Sequence, residues 1–272
     1  MNVLRSLVLA AMLSPLWLVV QAETAPRDEA TNTFVRGFVR FLAYHEAGHM
    51  LMGQIAELNN RPDWSSADRE DYADKFAMIL LQPDAKDPDG IDEIISAAAG
   101  WLQVDSDVIR DEPHAPPEAR ALDILCLLYG SNPEGFAQFS ELVDPDADCP
   151  GLYQAMEREI DNVFRNYSSD FGRPIDIVYG PPTGGMEDAQ QFLRESGVVE
   201  DLKDDIEAEF YLTNRTTLQA MSCAGKVKAD TFYSDRVRGA NLQEDHFVIT
   251  LCYEMIDARL KHGMRGFDEV SD

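Results

Sequence analysis

The chain has few positive charges, few cysteines and few long apolar runs. These shortages argue against particular partners, a cysteine zinc site and a membrane anchor. Its 23 lysines and arginines face 49 aspartates and glutamates, which gives a net charge of −26 at pH 7. So acidic a surface repels nucleic acid and anionic lipid, and we expect neither as a partner. The four cysteines show no CxxC spacing, which argues against a zinc site built from them. No repeat or long linker interrupts the 272 residues, a length that fits one domain.

The one strongly apolar run lies near the N-terminus, from residue 7 to residue 20. Arg5 precedes it, and the small-residue site Val20-Gln21-Ala22 follows it, which is the pattern of a secretory signal. We therefore expect a signal peptide over residues 1–22 and a periplasmic or secreted protein without a stable membrane anchor after cleavage. A transmembrane anchor is the alternative, but the run is short for a bilayer span.

An even number of cysteines in an exported chain predicts two disulfides. Four cysteines allow three pairings, and the sequence alone does not choose among them. Cys126 lies in a predicted helix, and Cys149 lies just before the next helix. Cys223 and Cys252 lie at the outer ends of a predicted hairpin. We therefore expect local pairing, Cys126 with Cys149 and Cys223 with Cys252.

Two of the five histidines stand four residues apart in the segment His45-Glu46-Ala47-Gly48-His49. Residues four apart share one face of a helix, so both imidazoles can face one metal ion. Phenylalanines upstream continue that face, which places the histidines on the apolar side of an amphipathic helix. The motif also occurs on exposed helical faces that bind no metal. Gly48 is costly in mid-helix and indicates that another backbone passes close by.

A candidate for the third ligand follows 21 residues after the second histidine. Glu70 and Asp74 are again four residues apart on a predicted helix, and Ala73 is small enough for close packing. We expect Glu70 to bind the metal and Asp74 to orient a ligand histidine through its other ring nitrogen. A plain ion pair of Asp74 with Lys75 or Lys86 is the alternative.

HEAGH followed by ExxAD resembles the gluzincins, zinc peptidases whose third ligand is a glutamate on a second helix. The chain resembles more closely a bacterial metallopeptidase family of unknown substrate. That family carries the patterns HELGHALI, GxEEDAADxxA, DEHxLDxQR and LCxxYGSxP in this order. Between residues 45 and 133 the matching segments are HEAGHMLM, DREDYADKFA, a looser DEPHAPPEAR and ILCLLYGSNP.

Other family elements stand in an unexpected place. The family's CGxxNAFYDP and ITLCYELL normally precede the zinc helix, but SCAGKVKADTFYSD and HFVITLCYEMID lie here between residues 222 and 257. IDIVYGPP, from residue 175, resembles the family's opening strand. The resemblance therefore implies a circularly permuted order within one domain. Residues 23–171 would form a helical half with the zinc-binding motifs, and residues 172–272 a permuted half with a β-hairpin and a C-terminal helix.

The hydrophobic pattern is mainly helical, and strand-like segments are confined to the C-terminal third. The helices are predicted at 32–57, 66–81, 91–103, 117–129, 133–142, 150–166, 187–196, 199–210 and 253–262. The strands are predicted at 175–179, 216–222, 229–234 and 246–252. With the resemblance, this composition implies an α+β, mainly helical gluzincin-like domain. Its sheet would be small, mostly antiparallel and supplied by the C-terminal third, with an edge strand able to hold an extended peptide.

The site residues predict metal-assisted hydrolysis, and the resemblance implies a peptide or protein substrate. Zinc held by the two histidines and Glu70 would activate a water, from which Glu46 takes a proton as general base. The resemblance makes His114 a further catalytic candidate, because His114 and Arg120 keep the six-residue spacing of DEHxLDxQR. A loop-exposed histidine without a role is the alternative. A helper of this kind would stabilise the oxyanion.

Other assignments stay open. Tyr233 and Tyr253 match family tyrosines, but a core position with a satisfied hydroxyl is the alternative for each. The protein could also be a catalytically inactive zinc protein that binds a peptide or protein partner. A zinc ion that serves only stability is a third interpretation. Glu46 argues against both, because a structural site does not need a glutamate beside its ligands.

Overall fold

The computed structural model describes residues 29–58, 65–83, 87–103, 115–165, 173–209, 214–224, 232–239 and 245–262. The predicted signal peptide lies outside these residues. The described helices are α1 Glu29–Leu58, α2 Ser66–Leu80, α3 Pro88–Leu102, α4 Pro117–Ser131, α5 Cys149–Arg165, α6 Glu187–Ser196, α7 Val198–Glu209 and α8 Tyr253–His262. The described strands are β1 Ile175–Tyr179, β2 Arg215–Met221, β3 Tyr233–Val237 and β4 His246–Cys252. Within these ranges, no helix combines the length and the apolar character needed to cross a membrane.

Helix α1 is the element around which the other parts are arranged. Its 30 residues give a length of about 45 Å at 1.5 Å per residue. Phe34, Phe38 and Phe41 recur at helical spacing and are at most 2% exposed. The helix contacts α2 and α3 and, from the C-terminal part, α7, α8, β3 and β4. The C-terminal half therefore packs directly on the helix that carries HEAGH.

Ion pairs reinforce the packing of α1 on two of its neighbours. Glu93 of α3 is 7% exposed and accepts hydrogen bonds from Arg36 at 2.8 Å and from Arg40 at 2.5 Å. The same arginines reach α7, where they pair with Asp201 and Asp205 at 2.8 and 3.0 Å. A buried carboxylate is tolerated only when it is paired in this way.

Helix α2 begins at a capping box that the sequence encodes locally. Asp68 N–H donates to the Ser65 hydroxyl at 3.1 Å, and Ser65 N–H donates to the Asp68 carboxylate at 3.0 Å. Such a cap stabilises a helix by about 1 kcal/mol. The helix ends at Leu80, shortly before Pro83, which cannot continue it. These signals fix the position of Glu70 one turn into the helix.

The α+β class is confirmed, with a small sheet in the C-terminal part, but the expected mostly antiparallel pairing is wrong. The strand order is β1-β2-β4-β3. The pairs β1–β2 and β2–β4 are parallel, and only β3–β4 is antiparallel. The reason lies in the connections, because α6 and α7 carry the chain from β1 to β2 over the length that a parallel crossover requires.

The two disulfides are the predicted pairs, although one of the reasons for predicting them was wrong. Cys126 is joined to Cys149 and Cys223 to Cys252. Cys223 and Cys252 do not close a hairpin, because β2 and β4 are parallel neighbours. Cys252 ends β4 and Cys223 lies two residues after the end of β2, and parallel strands bring such ends to one edge of the sheet.

The prediction of a helix at 133–142 is wrong. In its place the chain forms turns around a short 3-10 helix, Ala137–Phe139. The Asn132 side chain accepts from Gly135 N–H at 3.0 Å, so a local side-chain bond competes with the helical pattern. The predicted strand 229–234 forms later, at 233–237. The predicted limits of β1, β4, α6 and α8 are confirmed.

The disulfides give a testable prediction for stability. Loops of 23 and 29 residues predict that each bond contributes about 3 kcal/mol to the free energy of unfolding. Non-reducing peptide mapping should recover both pairs, and denaturant titration of the double variants Cys126→Ser/Cys149→Ser and Cys223→Ser/Cys252→Ser should show the losses. Free thiols in protein exported by its own signal would contradict this account.

Candidate metal centre

The candidate site lies where α1 and α2 pack closely beside Gly48. A Cβ on Gly48 would lie only 3.1 Å from the Cα of Ala73 and 3.2 Å from the ring of Phe76. Contacts this short leave little room for a side chain on α1. The expectation that another backbone passes beside Gly48 is therefore confirmed. The close approach allows a glutamate on α2 to reach histidines on α1.

The structure brings His45, His49 and Glu70 together. His49 Nε2 lies 3.0 Å from His45 Nε2 and 2.9 Å from Glu70 Oε2. His45 Nε2 lies 3.3 Å from the same carboxylate oxygen. Three groups with ligand lone pairs thus converge on one point, and they form the one candidate metal group found among the described residues.

These three residues fit a zinc ion. Tetrahedral zinc with bonds of about 2.0–2.1 Å requires its ligand atoms to stand about 3.3 Å apart. The three observed separations lie between 2.9 and 3.3 Å, so small side-chain movements suffice. The His45 side chain is 5% exposed, whereas those of His49 and Glu70 are 21% and 16% exposed. The site therefore opens to solvent on the side of His49 and Glu70.

Asp74 lies on the opposite side of the His45 ring. His45 Nδ1 donates to Asp74 Oδ1 at 2.7 Å, and Arg120 donates to the same oxygen from α4. The alternative of an ion pair with Lys75 does not hold, because Lys75 binds Asp71 at 2.7 Å. Lys86 lies outside the described residues. A hydrogen bond from the second ring nitrogen to a carboxylate fixes the orientation of a metal-binding histidine.

The charges around His45 set its protonation. Burial alone would lower the pKa of His45, but hydrogen bonds to Asp74 and Glu70 and the nearby carboxylates raise it to about 9. Burial would likewise raise the pKa of Asp74, but Arg120 and His45 outweigh it and lower that pKa. The raised pKa favours a second proton on His45 when no metal is bound. A metal must displace its proton, so metal affinity should rise with pH up to about 9.

Glu46 lies beside the candidate ligands without joining them. It is partly buried, and desolvation raises the pKa of its carboxyl against the lowering effect of His45 and His49. Ser234 on β3 lies close enough to Glu46 for its hydroxyl to lower that pKa. No pattern in the sequence points to Ser234, because it and Glu46 are 188 positions apart in the chain. A carboxyl with a raised pKa is suited to proton transfer near neutral pH.

Three other residues singled out in the sequence have different outcomes. Tyr253 is fully buried, and its hydroxyl donates to the Gly180 carbonyl at 3.0 Å, so it holds the chain after β1. Tyr233 lies at the start of β3, next to Ser234. His114 lies outside the described residues, and its catalytic role stays a prediction.

Comparison with known proteins supplies the family. The profile of the family described as "Putative metallopeptidase" matches residues 15–163, more than half of the chain. The chain belongs to this family. The matched part contains all three candidate ligands and Glu46, whereas the sheet lies outside it, so the permuted order of the C-terminal half stays a prediction. No curated protein and no solved structure matches the chain.

The geometry predicts different losses for the two carboxylates of α2. Glu70→Ala removes a candidate ligand and should weaken zinc binding more than Asp74→Asn. The latter should cost roughly 10–100-fold, as the loss of an outer hydrogen-bond partner does. Asp71→Asn is the matched control, because Asp71 is exposed and binds only Lys75 among the described residues. Chelator competition measures all three affinities. A larger loss for Asp74→Asn than for Glu70→Ala would mean that the two roles are reversed.

Proposed function

We propose that the protein is an exported zinc peptidase, with His45, His49 and Glu70 holding the metal and Glu46 acting as general base. The convergence of the three donor atoms beside Glu46 carries this proposal. Two imidazoles and one carboxylate form a donor set typical of hydrolytic zinc sites. When bound, zinc supplies an activated water and polarises the scissile carbonyl.

The number of ligands argues for catalysis rather than for a structural role. Structural zinc sites are closed by four side chains, whereas catalytic sites keep one position open. Among the described residues the group has three members, and its His49 and Glu70 side chains reach solvent. The two disulfides already crosslink the chain, so the fold does not need a metal ion for its stability.

Glu46 would move the proton. Its partly buried carboxylate can take a proton from water and return it to the leaving amine, and its raised pKa brings it closer to neutrality than an exposed glutamate. Ser234 would hold the carboxylate toward the site through its hydroxyl. Asp74 would keep Nε2 of His45 directed at the metal, since it binds the proton on Nδ1.

The edge of the sheet offers a place for the substrate. Strand β3 is the last strand in the order and pairs with β4 on one side. It contacts α1, and through Ser234 it reaches Glu46. An extended peptide could add to this edge by main-chain hydrogen bonds, which would place a peptide bond beside the metal. A peptide or protein substrate is thus the natural partner of this site.

Export rests on two further observations. Two disulfides suit an oxidising compartment such as the periplasm or the extracellular space. The N-terminal 22 residues have the charge and apolar pattern of a signal peptide.

Glu46→Gln tests the proposed function. The variant keeps the shape of the side chain and leaves the three ligands untouched, but it cannot accept a proton. It should retain one zinc per chain while peptide cleavage falls by several orders of magnitude, measured on a peptide library by mass spectrometry with and without chelator.

Glu93→Gln is the matched control, because Glu93 is also buried but binds Arg36 and Arg40 away from the site. It should lower stability and leave cleavage unchanged. Where no library peptide is cleaved, complementation of a strain that lacks the gene replaces the assay. Full rescue by Glu46→Gln would refute catalysis and favour a binding protein.

A further inference from the structure

Arg120 lies behind the metal centre, on the side of His45 away from the other ligands. We propose that Arg120 is a positioning residue of the metal site, which holds the Asp74 carboxylate where it receives the Nδ1 proton of His45. The inference rests on the proposed function in one respect, that His45 binds a metal. It adds a residue that touches neither the metal nor the substrate.

The contact geometry supports positioning. Arg120 Nη2 donates to Asp74 Oδ1, the same oxygen that accepts from His45 Nδ1. The side chains of Arg120 and Asp74 are 3% and 8% exposed, so water does not compete for this oxygen. A carboxylate bonded to His45 alone could rotate about its side-chain bonds. With a second donor on the same oxygen, the direction of the bond to His45 is fixed.

Arg120 is itself fixed by aromatic rings from two other helices. Its guanidinium lies 3.4 Å from the ring centroid of Trp101 on α3 and 5.9 Å from that of Phe41 on α1. Trp101 and Phe41 pack edge to face at 5.8 Å. A planar guanidinium stacks on such a ring and donates in its own plane at the same time, which a lysine ammonium cannot do. The position of Asp74 is thus tied to the core between α1 and α3.

A second arginine on the same aromatic cluster provides a matched control. Arg259 of α8 lies 4.6 Å from the ring centroid of Phe38, which packs edge to face on Trp101 at 5.7 Å. Its Nη1 donates to Gln103 Oε1 at 3.4 Å, and within the described part of the chain it does not bind Asp74. A loss of packing or of positive charge should therefore be similar for the two arginines. An effect transmitted through Asp74 should be confined to Arg120.

The test compares the zinc affinities of Arg120→Met, Arg120→Lys and Arg259→Met by chelator competition, with the stability of each metal-free protein measured in urea. Arg120→Met should lose about 10-fold in affinity, the lower end of what an outer partner contributes. The zinc affinity of Arg120→Lys should lie between those of Arg120→Met and the parent. A lysine restores a positive charge near Asp74, but it lacks the planar guanidinium that stacks on Trp101. Arg259→Met should be less stable but should keep the parent's affinity.

The same substitution made in the Asp74→Asn variant tests whether Arg120 acts through Asp74. If Arg120 acts through Asp74, Arg120→Met should add no further loss of affinity there, because the two changes are coupled. An equal loss in both backgrounds, or parental affinity in Arg120→Met, would overturn the proposal. If Arg120→Met does not fold, Arg120→Lys decides in its place, and parental affinity in Arg120→Lys overturns the proposal.

A second measurement separates this proposal from the proposed function. The Nδ1 proton of His45 should give a slowly exchanging NMR signal in the metal-free parent, and this signal should broaden or vanish in Arg120→Met but persist in Arg259→Met. If the parent protein binds no zinc, the proposed function is refuted. The NMR signal of the metal-free protein would still test whether Arg120 positions Asp74. An unchanged signal in Arg120→Met would overturn the positioning role.

Discussion

The close approach of α1 and α2 beside Gly48 is the constraint on which the site depends. The two helices carry their polar residues in pairs four apart, His45 with His49 and Glu70 with Asp74. Each pair is a local property of one helix, but the two pairs meet only because Gly48 lies against Ala73 at this crossing. A larger side chain here would separate the helices and move the carboxylates away from the imidazoles. The distances of about 3 Å between donor atoms are therefore a consequence of packing.

The polar groups behind the ligands continue this packing into the core. His45 binds Asp74, Asp74 binds Arg120, and Arg120 stacks on Trp101. Burying two charged groups costs several kcal/mol per ion unless each has close partners. Here one carboxylate oxygen serves both the imidazole and the guanidinium, and an aromatic face covers the rest. The result is a rigid support on one side of His45 and an opening on the other.

Sequence alone predicts the local parts of this arrangement well and the non-local parts poorly. The spacing of His45 and His49 is a property of α1 alone, and the capping box at Ser65 is a property of α2 alone. Both helices and the face that carries the two histidines could therefore be predicted. The direction of β1 relative to β2 depends on the crossover through α6 and α7, and no short pattern encodes it. Ser234 likewise reaches Glu46 across the fold, and no spacing in the sequence indicates this contact.

The central claim is that α1 and α2 together form a three-ligand zinc site, and anomalous diffraction at the zinc edge tests it most directly. Crystals of the zinc-loaded protein should show one peak per chain. It should lie about 2.0–2.2 Å from His45 Nε2, His49 Nε2 and a carboxylate oxygen of Glu70, with the fourth position not filled by protein. A peak held by four protein side chains would indicate a structural site. A peak elsewhere, or none under saturating zinc, would contradict the account.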